Sequence, residues 1–168
     1  TSWGISTRLI GAVILTHGDS KGLKLPPKIA PIQLVVIPIF RNNTQKEEIK
    51  LFLKPIILKL KNLGIRIKQD WTDSSPGYKF NEWELKGVPL RAEVGPRDVE
   101  KKSIILARRD TGEKISTLEI NIESSTKSLL IDIQKNLFKQ AKEFRDKNTH
   151  DVFDYKQLKK IIDGGGFV

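Results

Sequence analysis

The spacing of apolar positions between residues 32 and 70 changes twice along the chain. Residues 32–39 form an almost unbroken apolar run rich in Val and Ile, typical of a strand covered on both faces. Residues at helical spacing follow: Ile49, Phe52, Leu53, Ile56, Ile57, Leu60 and Leu63. At 65–68 two isoleucines alternate with Arg66 and Lys68, which indicates a second strand with one polar face. The order strand, helix, strand predicts a βαβ unit.

The ends of this helix are also marked in the sequence. Thr44 followed by Glu47 makes a capping box, which predicts the amino-terminal end. Gly64 predicts the carboxy-terminal end. Pro55 lies inside the helical pattern and has no backbone N–H to donate, so we expect a kink there or two abutting helical segments.

Beyond residue 70 the pattern predicts three more strands and three more helices. A Ser-Ser-Pro-Gly turn at 74–77 leads into the first of these helices. The predicted helices lie at 80–86, around 129–144 and at 155–162. The predicted strands lie at 90–94, 103–107 and 114–120. The fold class that accounts for these elements most economically is α/β, a mixed five-stranded sheet flanked by helices.

The first 25 residues mix glycines with a dense set of apolar residues. They predict a buried strand followed by a buried helix, without fixing which residues belong to each. Pro26, Pro27 and Pro31 then bracket a short stiff segment, which is a natural boundary. We therefore expect the region before residue 32 to be separate from the βαβ unit.

Composition narrows the classes of function. The chain is 38% hydrophobic and 30% charged, as in soluble globular proteins, and it contains no apolar run long enough to span a bilayer. Its formal net charge is +10, from 30 basic and 20 acidic residues. Such an excess suits a polyanionic partner. On charge alone, a lysine-rich surface that favours solubility is an equal alternative.

Several absences limit the chemistry further. Methionine is absent and the chain opens on Thr1, so we expect a processed product or a fragment. Cysteine is also absent, and the only histidines are His17 and His150, so no metal site is expected. There is no Gly-x-Ser-x-Gly elbow and no phosphate-cradling glycine loop. Catalysis contained within this chain is therefore not expected.

The stretch 79–114 is the richest in candidate binding chemistry. Phe80, Trp83, Glu84 and Arg91 lie there among several further charged residues. Single-stranded RNA loops are bound by stacking splayed bases on aromatic rings or guanidinium planes, while carboxylates and guanidiniums bond base edges. The alternative is that the aromatic residues belong to the core and the charges pair with one another.

Two stretches carry a resemblance to a known family. Residues 1–11, TSWGISTRLIG, and 17–27, HGDSKGLKLPP, closely resemble class II motif 3 and its sequel in prolyl-tRNA synthetases. Residues 76–91, PGYKFNEWELKGVPLR, continue as AEVGPRD at 92–98 and RRDTGEK at 108–114. They resemble the anticodon-binding domain of the archaeal and eukaryotic-type enzymes.

The resemblance implies a role for particular positions. Arg8 matches the motif 3 arginine, a catalytic residue that contacts ATP, and Ser6 matches a position lining the nucleotide site. Ser2 and Gly4 match the wall of the proline pocket. The positions matching anticodon contacts to two guanines are Phe80, Glu84, Arg91, Asp98 and Lys114.

The resemblance also implies a division of the chain. Residues 1–31 would end a catalytic domain, 32–124 would form the anticodon-binding domain, and 125–168 would be helices leading to a further carboxy-terminal domain. Two departures from the family pattern stand out: Thr72 lies where an arginine is usual, and Tyr78 replaces a more usual Trp.

For the whole protein the resemblance implies a cytoplasmic, homodimeric enzyme. It would join proline to tRNA(Pro) with ATP and Mg²⁺ through a prolyl-adenylate, without membrane attachment. The chain alone would hold the anticodon and be inactive, with no cofactor or metal of its own. The alternative is a free-standing, non-catalytic module derived from a synthetase that binds RNA or recruits a partner.

Overall fold

The computed structural model describes residues 4–168 and confirms the predicted mixed sheet. Its strands are β1 Leu34–Pro38, β2 Ile67–Gln69, β3 Leu90–Val94, β4 Ser103–Arg108 and β5 Lys114–Leu118. They lie in the order β2-β1-β3-β4-β5. β1 pairs in parallel with β2 and β3, whereas β3, β4 and β5 pair antiparallel. The predicted βαβ unit therefore forms one half of the sheet and a meander the other.

Six α-helices accompany the sheet in the described part of the chain. They are α1 Arg8–His17, α2 Asn43–Asn62, α3 Pro76–Leu85, α4 Pro96–Glu100, α5 Ile122–Asn148 and α6 Tyr155–Asp163. Helices α2 and α5 bury their apolar faces against one side of the sheet, where most of the core lies. Trp83 of α3 packs against the other side with Val35, Ile37 and Val88. The buried part of this second cluster lies over β1, and the same side of the sheet carries the polar side chains of Arg91 and Glu93 on β3 and Lys114 on β5.

The sheet register explains this polar surface. Along β3, Leu90, Ala92 and Val94 point into the main core. Alternation then sends Arg91 and Glu93 to the opposite face. Arg91 is level with Ala107 of β4, which is level with Lys114 of β5. Arg91 and Lys114, 23 positions apart in sequence, are thus brought into one row across three strands.

Helix α2 differs from the prediction at its amino-terminal cap and at Pro55. Its amino-terminal cap is Asn42 and not Thr44, because Asn42 has extended backbone and its side chain accepts a hydrogen bond from the Gln45 N–H at 2.9 Å. The expectation of two abutting helical segments was wrong, because a single helix runs through Pro55. The missing donor would have bonded the Leu51 carbonyl. Both residues lie on the exposed side of the helix, where water can satisfy that carbonyl. Gly64 follows the helix at φ +76°, as expected.

Smaller differences concern the ends of the remaining elements. Helix α3 begins at Pro76, capped by the Ser75 side chain, so the predicted Pro-Gly turn is its first turn. β5 ends at Leu118 and a short 3₁₀ turn occupies 119–121. Helix α4 was not predicted, because five residues are too few to show a helical period.

The amino-terminal region is the largest correction. No strand of the sheet lies in residues 4–25, and α1 has no buried residue. Its large apolar side chains Leu9, Ile10, Ile14 and Leu15 are exposed, with Leu15 89% exposed. The expectation of burial was wrong for residues 4–17 because α1 contacts little of the described chain beyond α5.

The segment after α1 is nevertheless held against the sheet domain. The Leu23 and Leu25 amides donate to the carbonyls of Leu85 and Gly87 at 3.1 and 3.0 Å. Arg66 donates through Nε and Nη2 to the carbonyls of Ala30 and Pro27 at 2.8 and 2.9 Å. The proline-rich boundary is thus packed on the domain.

Candidate RNA-binding site

Phe80, Arg91 and Lys114 form a stack on the polar face of the sheet. Phe80 lies on α3, and the guanidinium carbon of Arg91 lies 4.3 Å from the centre of its ring. The Lys114 ammonium lies 5.4 Å from the same centre. Both distances are within the range of a cation–π interaction. Ala107, between Arg91 and Lys114 in the row, has a side chain small enough to leave room for both cations.

Two carboxylates fix the Arg91 guanidinium in this stack. Glu84 accepts from Arg91 Nη1 at 3.2 Å. Glu93 Oε1 accepts from Arg91 Nε at 3.0 Å and lies 2.9 Å from Nη2. The other oxygen of Glu93 accepts from the Lys114 ammonium at 2.9 Å. We call Phe80, Glu84, Arg91, Glu93 and Lys114 the Arg91 cluster.

Glu93 was not among the residues predicted for the site. Its side chain is 7% exposed, whereas that of Glu84 is 31% exposed and that of Lys114 is 50% exposed. Glu93 is thus the buried acid of the cluster, and Glu84 and Lys114 are its more accessible members. The alternation along β3 places Glu93 on the same face as Arg91, and that signal could have identified it.

Local sequence explains how α3 contributes to the cluster. Phe80 and Glu84 are four residues apart, so they lie one above the other on the same helix face. Trp83 is turned towards the core. The alternative prediction that Trp83 is a core aromatic is therefore confirmed. Glu84 and Arg91 pair with each other, and both side chains remain partly accessible.

Asp98 does not join the Arg91 cluster. It lies on α4, beyond the carboxyl end of β3, where its Oδ2 accepts the Gly95 N–H at 2.8 Å. Asp98 lines a cavity of about 490 Å³. The other residues that line this cavity are Ile39, Arg41, Gln45, Gly95, Pro96 and Arg97. The structure thus brings together four of the five predicted anticodon residues and places the fifth in a separate cavity.

Asp70 organises the chain beside α3. Burial raises its pKa, but hydrogen bonds from Thr72 and Trp83 outweigh that effect, so its pKa is lowered. The Thr72 hydroxyl donates to Oδ1 at 2.6 Å and the Trp83 indole donates to Oδ2 at 2.7 Å. Thr72, which departs from the family pattern, is therefore a partner of Asp70 in this protein.

Two further arginines are held in structural ion pairs. Arg108 donates to both carboxylate oxygens of Asp110, at 3.0 and 2.7 Å, and this bonding raises the Arg108 pKa. Arg109 donates to Asp19 at 3.0 and 2.6 Å and to the Glu84 carbonyl at 3.0 Å. These hydrogen bonds hold the pKa of Asp19 far below its usual range. Arg109 thus joins the segment after α1 to the helix that carries Glu84.

Within residues 4–168, Gly4, Ser6 and Arg8 of the predicted ATP and proline sites make no hydrogen bond or ion pair with the Arg91 cluster. Ser2 falls outside the described residues. Gly4, Ser6 and Arg8 are exposed, and the Arg8 N–H donates to the Ser6 hydroxyl at 3.4 Å. Within residues 4–168 no group of three His, Cys, Asp or Glu side chains could hold a metal ion. Over the same residues, no helix has the length and apolar character needed to cross a membrane.

Comparison with known proteins identifies the region that carries the cluster. A family model described as "Anticodon binding domain" matches residues 33–130. A proline–tRNA ligase of Symbiobacterium thermophilum is 50% identical over 150 residues, which are 89% of this chain and 30% of that protein. The corresponding ligase of Bacteroides fragilis is 46% identical over 169 residues, covering 100% of this chain and 34% of that protein.

Similarity extends to an organellar enzyme and to a solved structure. The chloroplastic/mitochondrial proline–tRNA ligase of Arabidopsis thaliana is 46% identical and covers 98% of this chain and 32% of that protein. The crystal structure of the Cryptosporidium parvum prolyl-tRNA synthetase, complexed with L-proline and AMP, superposes with a TM-score of 0.92 at 40% identity. That similarity covers 98% of this chain and 35% of that chain.

These matches confirm both the resemblance and the fold class inferred from the sequence. The chain spans about a third of the length of the curated relatives it matches. The matched family region includes every member of the Arg91 cluster. The chain therefore belongs to the anticodon-binding domain family.

Proposed function

We propose that this chain is the anticodon-binding part of a proline–tRNA ligase and that the Arg91 cluster contacts the guanines of the tRNA(Pro) anticodon. The observation that carries the proposal is the pairing of Arg91 with Glu84 at 3.2 Å beside the Phe80 ring. It places a donor, an acceptor and an aromatic surface within reach of one base.

The chemistry of this pair suits guanine. Guanine presents two acceptors, O6 and N7, and donates through its imino and amino groups. Arg91 supplies donors in a fixed planar arrangement, and Glu84 supplies an accessible acceptor. Lys114 adds a half-exposed positive charge for the RNA backbone or a base acceptor. Adenine has no O6 acceptor or imino donor, so it would leave members of the pair unsatisfied.

The remaining predicted site residues belong to the proposed whole enzyme. There, Arg8 would contact ATP, Ser6 would line the nucleotide site, and Ser2 and Gly4 would border the proline pocket. Support comes from the relatives' names and from the L-proline and AMP in the similar crystal structure. The exposed Arg8 has no carboxylate partner in the described part of the chain, so its charge is free for a phosphate. ATP with Mg²⁺, a prolyl-adenylate, a cytoplasmic location and a homodimer are parts of this proposal.

A free-standing RNA-binding or partner-recruiting module is the weaker alternative. The relatives are named proline–tRNA ligases, and their similarity includes residues 1–32 as well as the matched family region. Motif 2 with its arginine encoded upstream of Thr1 would support the enzyme, and a native start immediately before Thr1 would support the module.

The first experiment measures binding of this chain to tRNA(Pro) and to the same tRNA with both anticodon guanines replaced, at two salt concentrations. We expect clearly weaker binding to the substituted tRNA. Glu84→Gln should reduce this preference by about 1–3 kcal/mol. The matched control, Glu82→Gln, lies on the same helix but pairs with Lys86, and it should keep the preference. Equal and strongly salt-dependent binding to both tRNAs would contradict the proposal, because only the basic surface would then act.

A further inference from the structure

The segment 18–25 packs closely on the carboxyl end of α3, the helix that carries Phe80 and Glu84. Gly22 has φ +125°, and a Cβ added there would lie 2.6 Å from the Leu85 Cα. The backbone of the segment therefore approaches the helix more closely than a residue with a side chain allows. The segment lies outside the matched family region. Any effect of this segment on the Arg91 cluster would thus reach the cluster from outside that region.

Arg109 joins this segment to α3 through a buried guanidinium, with only 6% of its side chain exposed. Nη1 and Nη2 donate to the two carboxylate oxygens of Asp19 at 3.0 and 2.6 Å. Nε donates to the Glu84 carbonyl at 3.0 Å. The backbone N–H of Arg109 donates to the Pro89 carbonyl at 2.9 Å, just before β3. One side chain therefore links Asp19 to the backbone of Glu84.

Asp19 is oriented by its own segment before it meets the guanidinium. Its Oδ1 accepts the Lys21 N–H at 2.9 Å, and its Oδ2 lies 3.0 Å from the Lys24 ammonium. A carboxylate held in this way presents both oxygens to a planar guanidinium, and such bidentate pairs are among the strongest hydrogen-bonded pairs in proteins. The link through Arg109 is therefore fixed at both of its ends.

Glu84 is the residue at which this link meets the Arg91 cluster. Its carbonyl accepts from Arg109, and its carboxylate accepts from Arg91 at 3.2 Å. Glu84, Arg91 and Arg109 also line one small cavity of about 10 Å³. A space of that size holds at most about one water molecule, so a movement of Arg109 changes the position of Glu84. The Arg109 side chain is buried, whereas the Glu84 side chain is accessible to a base.

We propose that Arg109 and Asp19 are positioning residues for guanine recognition, because they hold the backbone of Glu84 where its carboxylate can accept from the base. The inference rests on the proposed function. It extends the determinants of guanine preference to a segment outside the matched family region.

The positioning role predicts a particular pattern of binding. A group that recognises a ligand by directional hydrogen bonds has to be held within about 0.5 Å of its productive position. Loss of the Arg109 link would let the carboxyl end of α3 shift, which weakens the bond from Glu84 to guanine. Attraction between the basic surface and RNA phosphates depends on charge and tolerates such a shift. Guanine preference should therefore fall while binding that ignores the base persists.

The test measures dissociation constants of the full chain for tRNA(Pro) and for the same tRNA with both anticodon guanines replaced. Asp19→Asn and Arg109→Lys each disrupt the bidentate pair. The matched control is Arg108→Lys, since Arg108 makes a similar bidentate pair with Asp110 but has no hydrogen bond to Glu84 within residues 4–168. Melting curves confirm that each variant is folded at the temperature of the binding measurement.

We expect Asp19→Asn and Arg109→Lys to lower the ratio of the two dissociation constants by roughly threefold to tenfold, because a misaligned hydrogen bond to a charged group keeps only part of its strength. Affinity for the substituted tRNA should stay within about twofold of the parent, since the attraction to phosphates remains. Arg108→Lys should keep the parent ratio even where it lowers the melting temperature.

A double variant tests whether the effect passes through Glu84. In the Glu84→Gln background, Asp19→Asn should cause no further loss of guanine preference. A parent-like ratio in both Asp19→Asn and Arg109→Lys would overturn the positioning role. So would an equal loss in Arg108→Lys, or an additive loss with Glu84→Gln. If the parent chain itself shows no guanine preference, the proposed function fails instead.

Discussion

The guanidinium carbon of Arg91 lies 4.3 Å from the centre of the Phe80 ring, although the two residues belong to different elements, strand β3 and helix α3. Glu84 and Glu93 hold the guanidinium from two directions. A cation that is held in this way loses little conformational freedom when RNA binds, so the site is prepared in advance.

Arg91→Lys tests the geometry of this pair at constant charge. Lysine retains the positive charge but not the planar set of donors that can bond both acids and a base edge. We expect a loss of about 1–3 kcal/mol in binding to tRNA(Pro) and weaker discrimination at one guanine. Binding titrations with single guanine substitutions measure both effects. Parent-like discrimination by the lysine variant would mean that Arg91 acts only through its charge.

Glu93→Gln tests whether the buried acid positions Arg91 and Lys114. The change removes the charge shared by the two cations and leaves an amide that cannot pair with both. We expect a fall of about 1–3 kcal/mol in the free energy of unfolding. Guanine preference should fall as well.

The controls for Glu93 separate folding from positioning. Glu48→Gln changes an exposed acid on α2 that has no ion pair in residues 4–168, so stability and preference should both be retained. In the double variant with Arg91→Ala, the loss of preference should be no larger than with Arg91→Ala alone. Additive losses would show that Glu93 does not act by positioning Arg91.

Gly87→Ala tests the docking of the segment after α1 on α3. Gly87 has φ +72°, and a Cβ there would approach the Leu23 carbonyl carbon to 2.7 Å. Gly64→Ala is the matched control, because Gly64 has φ +76° with open space around it. Both changes should cost about 1–3 kcal/mol from backbone strain. Gly87→Ala should cost more, and hydrogen exchange at the Leu23 and Leu25 amides should speed up only in that variant. Equal effects would show that the close approach is unimportant.

Acidification tests the Arg109–Asp19 ion pair. The Arg109 hydrogen bonds lower the folded-state pKa of Asp19 below its unfolded value of about 3.9. Its stabilising contribution is therefore fully present above about pH 4 and is lost as the pH falls towards the folded-state pKa. Asp19→Asn should speed amide exchange in residues 18–25 at pH 6, and the difference from the parent should shrink on acidification below pH 4. Asp73→Asn, an exposed acid with no ion pair in residues 4–168, is the control. A difference independent of pH would exclude the pair as its cause.

Elements with a clear period were predictable from the chain alone. The apolar run before residue 40, the helical spacing to residue 63 and the alternation at 90–94 correspond to β1, α2 and β3. Burial on one or both faces produces those periods directly, so local sequence contains the information. The resemblance selected four members of the Arg91 cluster because its motif includes them. The cap of α2 was misassigned because Asn42 and Thr44 are both good capping residues, and only backbone conformation separates them.

By itself the sequence determined the fold class, the family and four members of the Arg91 cluster, because periodicity and motifs are local properties. Only the tertiary structure decided which charges pair. Glu93 of β3 accepts a hydrogen bond from Lys114 of β5 across the intervening β4, and Arg109 bonds Asp19, which lies 90 positions earlier in the chain. The tertiary structure also separates Asp98 from the cluster, because Asp98 lies beyond the end of β3 and not on the polar face of the sheet. Charged side chains choose partners by distance in space, and strand register and the packing of distant segments set that distance.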